Sequence, residues 1–68
     1  MNDETFNLSI RKFLKMVGVG SQREIEQAVA QAIQEGRISG TATLPARMTL
    51  ELEGVQLNVV FDGVIELG

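Results

Sequence analysis

With 68 residues, 44 % of them hydrophobic and 22 % charged, the chain has the composition of one small globular domain rather than of disordered or collagen-like sequence. It contains no cysteine and no histidine, which excludes disulfides, thiolate chemistry and cysteine metal sites and removes the commonest general base. The net charge of −3 comes from the second half, where Arg47 stands alone against Glu51, Glu53, Asp62 and Glu66. Duplex binding draws its affinity from cations, so this balance argues against it.

No stretch approaches the roughly 20 consecutive apolar residues of a membrane span. The start, Met1-Asn2-Asp3-Glu4, is acidic and lacks the basic and then apolar pattern of a signal peptide. The expectation is a cytoplasmic protein with no membrane partner.

In the first segment Phe6, Ile10, Phe13, Leu14 and Val17 recur at helical spacing within a stripe about 100° wide. Asn2 or Asp3 can cap this start, and Gly18 is a natural stop, so the pattern predicts a helix over 3–17. Ser21-Gln22-Arg23-Glu24 then reads as a capping box opening a second helix over 22–35, with Ile25, Ala28, Val29, Ala32 and Ile33 on one face and Gly36 at its end. Two helices joined by so short a turn should pack as a helical hairpin or corner.

Residues 36–46 contain Gly36, Gly40 and Pro45 among small polar residues and read as a connector with a short extended stretch near Leu44. Beyond it Met48, Leu50 and Leu52 alternate with Arg47, Thr49, Glu51 and Glu53, the period of a strand with one wet face. A two-residue Glu53-Gly54 turn pairs Leu50 with Leu57 and Met48 with Val59. A bulged Phe61-Asp62-Gly63 loop pairs Val59 with Ile65 and Leu57 with Leu67, keeping the apolar face intact. Strands are therefore expected at 47–53, 55–60 and 64–67. The predicted fold is α+β, a two-helix hairpin on one face of a three-stranded antiparallel meander (ααβββ) forming one domain over 1–68.

Val60 and Val64 fall on the sheet face away from this core, and Leu8 lies off the helix stripe beside Arg11, Lys12 and Lys15. A core this small roughly cancels the cost of ordering the chain. Self-association is the expected remedy, as a homodimer in which elements can exchange through 36–46. The candidate interaction surface is thus Leu8, Arg11, Lys12, Lys15, Val60 and Val64, facing a protein partner.

The candidates for chemistry are thin. Gly18-Val19-Gly20-Ser21 precedes a predicted helix start, but follows a helix and lacks the third glycine and the lysine of phosphate loops. A helix-turn-helix alignment on Gly18 puts Glu24 and Gln27 where apolar residues are needed. Ser9, Ser21 and Ser39 have no evident activating base. The carboxylate pairs Asp3/Glu4 and Glu24/Glu26 suit helix starts, Glu51/Glu53 lies at a strand end, and no loop has calcium-binding spacing. Asn7-Leu8-Ser9 matches a glycosylation acceptor inside a predicted helix. No catalytic residue, metal site or cofactor is expected. The leading function is a non-enzymatic, self-associating protein-interaction or binding module. The alternative is a weak nucleic-acid-associated module using the basic face of the first helix.

The runs Phe6 to Lys15, Val17-Gly18-Val19, Ser21 to Glu26, Thr43 to Ala46 and Phe61 to Leu67 together resemble a family of short, about 70-residue bacterial proteins catalogued as a domain of unknown function. The resemblance spans nearly the whole chain and implies a stand-alone bacterial protein. It brings no active site with it.

Overall fold

A single helix, α1 (Asp3–Gln34), and an antiparallel hairpin of β1 (Thr43–Leu52) and β2 (Leu57–Glu66) make up the computed structural model, which describes all 68 residues. They belong to two compact units, Met1–Arg37 and Ile38–Gly68. The architecture is αββ, in place of the expected helical hairpin and three-stranded meander.

The 32 residues of α1 extend about 48 Å at about 1.5 Å per residue. Asn2 caps the start, its side-chain oxygen accepting from the Thr5 N–H at 3.0 Å, and Asp3 and Glu4 suit the positive end of the helix dipole. At the other end Glu35 is the cap and Gly36 turns left-handed at φ +73°. The Arg37 N–H then donates to the Ala32 carbonyl at 2.8 Å, and the Gly36 N–H to the Ile33 carbonyl at 3.0 Å. These two bonds are a Schellman ending, which a glycine at that position permits.

The predicted break at Gly18 and restart at Ser21 do not occur. Each interior glycine costs about 1 kcal/mol, and a break would forfeit several backbone bonds and a second nucleation. The apolar stripe also crosses the segment. Phe6, Ile10, Phe13 and Val17 are continued by Ser21, Ile25, Ala28 and Ala32, a period of about 3.7 residues, close to the 3.6 of the helix. Ser21 occupies a half-buried stripe position rather than a cap, so the capping-box pattern is coincidental.

In the hairpin, Leu52 pairs with Leu57, Leu50 with Val59, Met48 with Phe61, Ala46 with Gly63 and Leu44 with Ile65. The predicted pairs Leu50–Leu57 and Val59–Ile65 are corrected by this register. Residues 53–56 form the connection, a 3-10 turn over Glu53–Val55 closed by the left-handed Gln56 (φ 54°), whose N–H donates to the Glu53 carbonyl at 3.1 Å. Four-residue loops of this kind spare Glu53 the positive φ that a two-residue type I′ turn demands.

There is no third strand and no turn at Phe61-Asp62-Gly63. Residues 61–66 find their partners in 43–48, because β1 starts four residues earlier than 47 and takes in most of what reads as a connector's end. Pro45 is tolerated there because a strand in a two-stranded sheet has one edge without ladder bonds. The Leu67 N–H extends the pairing with a bond to the Ala42 carbonyl at 2.9 Å.

Candidate interaction surfaces

Residues opposite one another in an antiparallel pair share a face, so the register sorts the hairpin completely. One face holds Leu44, Ala46, Met48, Leu50 and Leu52 from β1 with Leu57, Val59, Phe61, Gly63 and Ile65 from β2. Every one of these ten is apolar. The other face is polar but for Pro45, Val60 and Val64.

The apolar face is not shut away. Phe61 is 57 % exposed and Leu52 54 %, with Met48, Leu57 and Val59 also exposed. On α1 the stripe residues Phe6, Ile10, Phe13 and Leu14 are exposed as well. Ala32 is the only buried residue of the chain.

Alternation alone could have placed Phe61 on the apolar face. Leu57, Val59, Phe61 and Ile65 keep one parity straight through Asp62-Gly63, but the turn-forming character of that dipeptide masks it. Neither Gly54 nor Gly63 adopts a positive φ.

The six candidate surface residues fall into two groups. Leu8, Arg11, Lys12 and Lys15 occupy one side of α1, opposite the stripe at about 100° per residue, and all are exposed. The two ion pairs of the chain engage Arg37 and Arg47, which leaves Arg11, Lys12, Lys15 and Arg23 without carboxylate partners. Residues 5–23 contain those four cations and no acidic residue. Val60 and Val64 lie on the polar face of β2, two side chains apart, with Asp62 between them. Asp62 accepts from Arg47 Nε at 2.8 Å, while Glu51 and Glu66 on the same face make no ion pair.

At the end of α1, the Glu35 carboxyl is held below its ordinary range, first by a hydrogen bond from the Gln31 side-chain amide at 3.1 Å and then by one from Arg37 Nε at 2.8 Å. Nowhere do three or more aspartate and glutamate side chains gather as metal ligands would, and no helix is long and apolar enough to cross a membrane.

The chain belongs to the DUF6494 family, a family of unknown function, whose pattern it matches over residues 1–68. No curated protein and no solved structure matches it.

Proposed function

We propose that this protein is a non-enzymatic, self-associating binding module in which a second copy covers the apolar faces that one copy leaves open. The apolar face of the hairpin carries the reading. Leu44, Ala46, Met48, Leu50 and Leu52 stand opposite Ile65, Gly63, Phe61, Val59 and Leu57, with no polar side chain among them. A continuous apolar sheet face of this kind is what obligate dimers bury. Apolar area supplies most of the stability of such interfaces. The absence of histidine and cysteine supports the non-enzymatic part of the reading.

Sedimentation equilibrium from low to high micromolar concentration tests it. The expected mass is twice the 7.4 kDa of one chain or a higher multiple. Urea midpoints should rise with protein concentration, since association and folding are then one reaction. Phe61→Asp sets a charge in the middle of the apolar face and should dissociate the protein. A folded 7.4 kDa monomer at high micromolar concentration would falsify the proposal.

A further inference from the structure

We infer that the cationic side of α1 docks on the polar face of another copy's hairpin, giving a second, salt-sensitive level of assembly beyond any apolar dimer. Both surfaces are exposed, and their charges are opposite. The helix side offers Arg11, Lys12 and Lys15 around the exposed Leu8. The hairpin face offers the unpaired carboxylates of Glu51 and Glu66 beyond the exposed Val60 and Val64. The helix side is wholly cationic, while the hairpin face, where Asp62 takes up Arg47, is left net negative by Glu51 and Glu66.

The dimensions also match. Arg11 to Arg23 spans about 18 Å of helix. Along β2, the level of Glu51, opposite Asn58, lies about 26 Å from Glu66. Flexible arginine and lysine stems close the difference. The like net charge of two copies, −3 each, is overcome locally because residues 5–23 carry four positive charges while residues 38–68 are net negative.

Two foreign occupants fit less well. On a membrane, the apolar stripe would face the lipid and Lys15, on the opposite side of the helix, would point away from the headgroups. A nucleic acid would meet Leu8 among the cations and find no aromatic side chain on that side of the helix to stack against.

The contact joins two different surfaces, so it extends as an open chain or closes into a ring, and either raises the mass. It is independent of the apolar association. The latter sets the mass at high salt, and the docking proposed here sets only the rise above it at low salt.

Sedimentation velocity of the full chain decides, at about 0.01 M and about 1 M salt, where the screening length is about 30 Å and 3 Å. The expected result is a larger mass at low salt that returns to the high-salt value on adding salt. Lys12→Glu with Lys15→Glu, or Glu51→Lys with Glu66→Lys, should weaken the low-salt assembly about tenfold or more without changing the high-salt mass. The chain carrying all four substitutions has the wild-type net charge but sets a neutral helix side against a cationic hairpin face, and should stay unassembled at low salt. No rise at low salt, indifference to either reversal, or assembly of the fourfold chain like the wild type overturns the inference. A rise only on adding mixed-sequence DNA or vesicles of anionic phospholipid also overturns it, because the cationic side then serves a foreign anion.

Discussion

Arg47 and Asp62 sit opposite each other in the hairpin, and the Arg47 Nε donates to the Asp62 carboxylate at 2.8 Å. The pair marks the place where Asp62-Gly63 continues a strand instead of turning. Its side chains are 70 % and 64 % exposed, so water screens most of the attraction. A double-mutant cycle with Arg47→Ala and Asp62→Ala, read by urea unfolding, should give a coupling under about 1 kcal/mol.

The glycines of α1 should respond with opposite signs. Gly36 is left-handed at φ +73°, and Gly36→Ala should cost about 1 kcal/mol. At Gly18 and Gly20 an added Cβ meets nothing within 4 Å in the chain. Gly18→Ala and Gly20→Ala should therefore each stabilise by up to about 1 kcal/mol. Thermal melts at one fixed protein concentration compare the three. A loss of assembly mass in either interior variant would show that a second copy approaches the helix there.

Two polar residues distinguish one helix from two. Asn2 bonds the Thr5 N–H, so Asn2→Ala should lose about 1 kcal/mol. Ser21 caps nothing, and Ser21→Ala should be neutral or slightly favourable by helix propensity. Were the helix broken at Gly20, the two substitutions would cost alike in the same urea titration.

Acid should loosen the end of α1. Glu35 has its folded pKa lowered, by Gln31 first and Arg37 second. Its contribution is present above the unfolded glutamate pKa and is lost as pH falls through the lowered folded value. An NMR titration of the Glu35 carboxyl should show a midpoint below 4.5, and Gln31→Ala should move it back up. Glu35→Gln should flatten that part of the acid limb.

Much of the hairpin was legible in alternation. The sets Met48, Leu50, Leu52 and Leu57, Val59, Ile65 were read as one apolar face, and the register confirms that they share it. What periodicity does not contain is which partner each residue takes. A shift of two residues, Leu50 to Leu57 instead of Val59, leaves every side chain on the same face. Two misleading local signals did the rest. Asp62-Gly63 has turn chemistry, yet 43–48 supplies a longer partner strand, and Pro45 hid that strand by its reputation as a breaker. In α1 the glycines and Ser21-Gln22-Arg23-Glu24 mimic a boundary, while Val17, Ser21 and Ile25 at spacings of four carry the stripe across it. The helix side at Leu8, Arg11, Lys12 and Lys15 needed only the helical period and lies where that period puts it.

The solitary buried side chain of Ala32 has a consequence for how long each copy lasts. Burial within one chain is indifferent to abundance, whereas burial shared between chains follows mass action. Under the proposed association, the protein would meter its own survival. At low expression most copies would be solitary and open to proteases, and each rise in synthesis would yield a more than proportional rise in lasting protein. Steady-state level plotted against transcript should then bend upward, a dose response written into the fold by what it leaves uncovered.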